Sequence, residues 1–187
     1  VISDVNPYLS NNVYFIPSHP LAGTEYSGPQ SGFSSLFENR YWLIVYDKQT
    51  NETKKLINFF EKLGSIVEIV NTEYHDRILA ITSHLPHLIA YTIVGTASDL
   101  ETDLKNDVIK FSASGFRDFT RIASSDPIMW RDVFLNNSDA VLEMIQRFNE
   151  DLSDLQKAIR KKDGDKLHSF FSRTRSIRKK IIDAGQI

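Results

Sequence analysis

The hydrophobic pattern of this chain changes period near residue 71, and that change limits the fold more than any other feature. Before it, three short runs rich in β-branched and aromatic residues stand out: Val13–Ile16, Tyr41–Tyr46 and Ile66–Val70. Between the last two, Leu56, Phe59, Phe60 and Leu63 recur at helical spacing, and Gly64 stands where a helix would stop. Strands alternating with such helices imply α/β crossovers rather than a sandwich. A sheet of these strands alone leaves edges and faces bare, as a truncated doubly wound domain would.

After residue 71 every segment reads as helix. Thr72 is placed to cap the first, with Glu73 and Asp76 favourable near its positive end. Pro86 lies inside that helix and cannot donate to the Thr82 carbonyl, so a kink is predicted there. Ser83 and His87 share a face beside it. Asp126-Pro127 is a cap followed by proline at the first helical position. Ile145, Phe148, Leu152, Leu155 and Ile159 form a seam suited to lengthwise packing on another helix. Gly164 is expected to end that helix, and Leu167, Phe170, Phe171, Thr174, Ile177 and Ile181 to line the next. The expected domains are 1–71, the end of an α/β unit, and 72–187, an all-helical unit, so the chain is mainly α.

At 187 residues with 41% hydrophobic and 25% charged content, the chain can bury a real core. A net charge of −2 gives no electrostatic case for nucleic acid or an anionic membrane. Arg173, Arg175, Arg178, Lys179 and Lys180 scatter around their helix and read as a solvated face. With no cysteine, disulfides and thiolate metal sites are excluded, which favours a reducing compartment. No apolar run is expected to approach the roughly 20 residues that span a bilayer. The first residues lack the marks of a signal peptide. A cytoplasmic protein without a membrane partner is the plain expectation.

Three segments carry chemistry. In Ser18-His19-Pro20-Leu21-Ala22-Gly23-Thr24-Glu25-Tyr26-Ser27-Gly28-Pro29 an imidazole follows a strand, where α/β sheets bind ligands. Its ordinary pKa suits proton transfer, although taken alone such a histidine is more often a satisfied loop residue. The second is Ser83-His84-Leu85-Pro86-His87. Its two histidines lack the H-E-x-x-H string and a carboxylate at the needed offset, so no metal site is expected. In the third, Gly115-Phe116-Arg117-Asp118-Phe119-Thr120-Arg121-Ile122-Ala123 runs on to Asp126-Pro127-Ile128-Met129-Trp130-Arg131-Asp132. Its charges are either an ion-pair face worth under about 1 kcal/mol or a guanidinium fork for a carboxylate. Phe116, Phe119 and Ile122 bracket them and suggest a packed segment.

In order and spacing these segments resemble the prephenate dehydrogenase family, which includes arogenate and cyclohexadienyl dehydrogenases. The resemblance covers nearly the whole chain. It implies NAD-dependent oxidative decarboxylation of prephenate to 4-hydroxyphenylpyruvate in tyrosine biosynthesis, with arogenate as rival substrate and NADP as possible cofactor. It implies that His19 accepts the proton of the substrate's ring hydroxyl. Gly23 and Thr24 would shape the nicotinamide side of the loop, and Ser83 and His87 the substrate pocket. Arg121 would clamp a substrate carboxylate, with Asp118 orienting it or closing the pocket. Trp130 would lie near the mouth of the site and a homodimer interface. His84 reads as a packing or surface residue, and His75 and His168 carry no signal.

The family also has a G-x-G-x-x-G turn and a D-V-G-S motif in its nucleotide-binding half, and neither string occurs here. The chain therefore reads as a carboxy-terminal part of such an enzyme, inactive alone. The rival from another class is a dimerisation module without activity of its own.

Overall fold

The computed structural model describes residues 1–23, 26, 28–46, 50–99, 107, 108 and 110–183. After the helical turns α1 (Ile2–Val5) and Asn6–Tyr8 come three strands, β1 (Ser18–Pro20), β2 (Tyr41–Ile44) and β3 (Ile66–Ile69). They form one sheet in the order β1-β2-β3. β1 runs antiparallel to β2 with His19 opposite Leu43, and β2 runs parallel to β3 with Leu43 opposite Glu68. The expected crossover joins the parallel pair through α2 (Asn51–Lys62). Thr50 caps α2 by accepting the Thr53 N–H at 3.1 Å. Gly64 ends it at φ +84°, where a Cβ would press within 3.1 Å of Glu38. Leu43 and Ile44 of β2, Val45 just after it and Phe60 of α2 are buried, and Trp42 stacks on Phe60 with centroids 3.7 Å apart.

The first strand is not where the apolar run predicts it. Val13 and Tyr14 are exposed and lie outside the sheet, the Val13 N–H donating to the Ser10 carbonyl in a turn, and the last rung is the Val45 N–H donating to the Pro17 carbonyl at 2.8 Å. β2 ends at Ile44 and offers no further ladder, so the preceding residues leave the sheet. Tyr14 and Ile16 instead line a shallow groove with Leu56 and Phe59 of α2. His19 therefore sits within an edge strand rather than beyond its end.

The helical part follows as α3 (Thr72–Leu79), a π-helical turn (Ala80–His84), α4 (Leu85–Ser98), α5 (Ser114–Thr120) and a 3₁₀ turn (Arg121–Ser124). Then come α6 (Pro127–Asn136), α7 (Ser138–Arg160) and α8 (Gly164–Asp183). Asn71, not Thr72, caps α3, because its side chain accepts the Tyr74 N–H at 2.8 Å. The missing donor of Pro86 is met by the π turn, which resets the backbone pairing just before it. Asp126 caps α6 as predicted, accepting from Ile128 N–H at 2.8 Å and Met129 N–H at 3.0 Å. Gly164 begins α8 rather than ending α7. The break comes at Lys162, with φ 55°, and Asp163 caps the next helix by accepting from Lys166 N–H at 3.0 Å.

Thr72–Ser98 is helical over 27 residues and contains an 18-residue window of mean hydropathy 1.4, long and apolar enough to cross a membrane by length and composition alone. The sequence expectation missed this because Pro86 and the histidines disguise a stretch, Ile78–Ser98, that contains no Asp, Glu, Lys or Arg. Leu79, Ala80, Leu85 and Ala90 of this stretch are buried, as they are in a core helix.

Two compact units divide the chain, Val1–Val141 and Leu142–Ile187. In the second, Leu155 is half-buried and Ala158 buried, while Leu152 and Ile159 of the seam are exposed. Phe171, Ile177 and Ile181 of the α8 stripe are exposed as well.

Candidate active site

His19 is held half-buried on β1, and the chain leaves the strand through the Leu21 N–H, which donates to the Tyr41 carbonyl at 2.8 Å. Gly23 follows at φ +154°, and no heavy atom lies within 4 Å of where a Cβ would stand. The backbone there is open to a close approach. Thr24 lies outside the described residues.

The neighbour of His19 is His75, a histidine that carries no signal in the sequence. Asn71 sets the start of α3 so that His75 falls on the same face as buried Leu79, four residues on. His75 Nε2 lies 3.0 Å from His19 Nδ1, and His75 Nδ1 lies 2.8 Å from the Asp76 carboxylate. The signal that could have found it is this helical phase: an imidazole on a buried face needs a partner.

A third and fourth histidine complete the cluster. His84, in the π turn, is buried with its ring edge toward Trp130, centroids 6.1 Å apart. The Asn137 amide lies 3.2 Å from His84 Nδ1 and donates to the Asp76 carbonyl at 2.9 Å. An amide N–H against Nδ1 makes that nitrogen the acceptor. Burial first, then the neighbouring His19, His75 and His87, push the His84 pKa down to about 4, against a small opposing pull from Asp76. Of the packing and surface alternatives for His84, this burial fits packing.

His87 donates from Nδ1 to the Ser83 carbonyl at 2.9 Å, which leaves Nε2 bare as an acceptor. Its ring stacks on buried Trp130. Burial lowers the His87 pKa, and the nearby Arg121 charge lowers it further against the Ser83 hydrogen bond. The His19 pKa is lowered by burial and by His75. These three imidazoles are therefore neutral near neutral pH, a state that accepts protons and does not repel a cationic guanidinium.

The 3₁₀ turn bearing Arg121 packs on α4, and the Tyr91 hydroxyl fastens its end by donating to the Ser125 carbonyl at 2.7 Å. The structure thus brings His19, Ser83, His87, Trp130 and Arg121 into one neighbourhood of the first unit. Asp118 stands exposed on α5. Phe119 is exposed too, so the segment is less packed than its apolar brackets imply. Asn137 is a second member of the cluster that spacing could not reveal, since it lies 53 residues from His84.

A small sheet with a β-α-β crossover, leading into helices that carry a histidine cluster, defines an α/β unit followed by a helical domain. The dimerization-domain profile of prephenate dehydrogenase matches residues 71–173, and the nucleotide-binding-domain profile matches residues 1–69. The chain belongs to the prephenate dehydrogenase family. It is 38% identical over 180 residues to the cyclohexadienyl dehydrogenase of Zymomonas mobilis, an alignment covering 95% of this chain and 61% of that protein. It is 29% identical to the prephenate dehydrogenase of Bacillus subtilis, over 95% of this chain and 48% of the relative. A solved prephenate dehydrogenase from A. aeolicus, in complex with hydroxyphenyl propionate and NAD+, superposes with a TM-score of 0.86 at 33% identity. That match covers 96% of this chain and 63% of the other. The chain thus spans roughly half to three-fifths of the length of these relatives.

Proposed function

We propose that this chain is the substrate-side part of an oxidoreductase that converts prephenate to 4-hydroxyphenylpyruvate, with NAD as hydride acceptor. One observation carries the reading: a half-buried histidine, kept neutral by its surroundings, stands at the start of the glycine-bearing loop. A general base must be unprotonated before it acts, and a lowered pKa keeps it so.

In this reading His19 takes the proton of the ring hydroxyl as that carbon is oxidised and the ring carboxylate leaves as carbon dioxide. Arg121 binds a carboxylate of the substrate through its planar fork. His87, with Nε2 bare and its ring fixed against Trp130, accepts a hydrogen bond from the substrate, and Ser83 lines the same face. Asp118, exposed on α5, closes the mouth of the pocket. NAD, when bound, supplies the acceptor for the hydride. The open backbone at Gly23 fits a flat ring lying close, and Thr24, next in sequence, is assigned to the same cofactor by the family resemblance. The exposed Phe171, Ile177 and Ile181 of α8 fit a homodimer, since they lie in or next to the part matched by a dimerization domain.

The pyrophosphate of a dinucleotide is held by a glycine turn and a helix amino terminus, and G-x-G-x-x-G does not occur in these 187 residues. The test compares this chain with one extended at its amino end to the relatives' length. The extended chain should turn over prephenate with NAD, while the 187 residues alone should show no turnover and no saturable NAD binding by calorimetry. An extended chain that prefers arogenate would correct the substrate. One inert toward both would overturn the reading in favour of an assembly module.

A further inference from the structure

We propose that His75, held by Asp76, is a positioning residue that fixes the tautomer of His19 and so decides which nitrogen can take a proton. The inference rests on the reading of His19 as the general base and extends it to a residue outside that reading.

His75 Nδ1 lies 2.8 Å from a carboxylate oxygen, and a carboxylate only accepts. The hydrogen is therefore on His75 Nδ1, and in neutral His75 the Nε2 carries a lone pair. That lone pair faces His19 Nδ1 at 3.0 Å, so the hydrogen between the rings belongs to His19. His19 is then the Nδ1–H tautomer, with Nε2 bare. The opposite arrangement sets the His75 Nδ1 lone pair against the Asp76 oxygen and puts a proton on His19 Nε2, where the base is needed. An acceptor behind a histidine that selects the tautomer of the working nitrogen is the logic of a catalytic triad, with an imidazole between carboxylate and base.

The pair is well held. The His75 side chain is 19% exposed. The His75 backbone N–H donates to Asn71 at 3.0 Å, and the Asp76 carbonyl is tied to Asn137 at 2.9 Å. The rings meet at 53° with centroids 5.3 Å apart, an angle that points one nitrogen at the other rather than stacking the faces. Of the titratable groups around the pair, Asp76 lies on α3, His84 on the π turn, and His87 on α4 with Arg121 beyond it. Among these described groups Asp76 supplies the carboxylate, so the polarity of the relay runs from it toward His19.

Two measurements test this. Histidine-selective ¹⁵N NMR of this chain near neutral pH should show His19 as the Nδ1–H tautomer. His75→Gln, whose side-chain carbonyl can still accept, should preserve that state, and His75→Ala should release it to the Nε2–H form that free imidazole favours. In a chain extended to the relatives' length, His75→Ala should lower kcat about 10- to 100-fold, as loss of an outer partner of a histidine does, with little change in the KM for prephenate. His75→Gln should restore most of it. A wild-type His19 carrying its proton on Nε2, or equal loss in the Ala and Gln variants, overturns the proposal. Failure of the general-base reading is separate, because an active His19→Asn enzyme removes that reading whatever tautomer the NMR reports.

Discussion

His87 lies face to face on Trp130, with ring centroids 3.6 Å apart and planes 23° from parallel. The stack joins α4 to α6 and leaves the Trp130 Nε1 buried without a hydrogen-bond partner among the described residues. A buried unpaired donor costs about 1–3 kcal/mol. A site that binds a ligand oxygen can recover that cost when occupied.

Substitutions at this position separate the two roles of the indole. Trp130→Ala removes the wall behind His87 and should cost about 3–5 kcal/mol in urea unfolding. Trp130→Phe keeps a ring in the stack and deletes the unpaired donor, so its stability should change by less than about 1.5 kcal/mol. In an extended chain the Phe variant should still bind prephenate more weakly, because the N–H is gone. A Trp130→Phe variant that binds prephenate as tightly as the wild type would show that the indole is packing alone.

Stability should fall with acid, and His84 should account for much of the fall. Its folded-state pKa is about 4, below the ordinary 6.5. The unfolded chain therefore binds the proton first as pH drops. The contribution of neutral His84 is complete above about pH 6.5 and is lost between there and pH 4. A shift of this size corresponds to at most about 3 kcal/mol. The lowered His19 and His87 act in the same direction. Urea midpoints taken from neutral to acid pH should decline for the wild type and decline less for His84→Gln. A wild-type midpoint that stays level over that range would contradict the burial of a neutral His84.

Arg121 distinguishes a substrate clamp from a surface ion pair. If its guanidinium holds a carboxylate, Arg121→Ala in an extended chain loses a charge-assisted hydrogen bond of about 1.5–3 kcal/mol. The KM for prephenate should rise roughly 10- to 150-fold while NAD affinity stays level. A lowered melting point with unchanged KM would assign Arg121 to structure.

Much of this arrangement was legible in the residues. The period change near residue 71, the α2 crossover, the Gly64 stop and the Asp126 cap follow from local rules of spacing and capping, and the structure keeps them. What local rules missed depends on partners distant in sequence. Val13–Ile16 looks like a strand, but a strand needs a ladder, and β2 is too short to supply one. His75 looks idle because nothing near it in sequence reveals that α3 carries it against β1, 56 residues from His19. Asn137 was hidden for the same reason. Gly164 was misplaced because Asp163 is the stronger signal there, a cap that starts a helix rather than a glycine that ends one.

The central claim is that His19 is the base, and its replacement tests this most directly. In an extended chain, His19→Asn keeps much of the size and some hydrogen bonding while removing the group that titrates. The account predicts that kcat with prephenate falls by roughly 10²–10⁴, with a smaller change in KM, and that the acidic limb of the pH profile disappears. A His19→Asn enzyme with wild-type kcat and an unaltered acidic limb would contradict it.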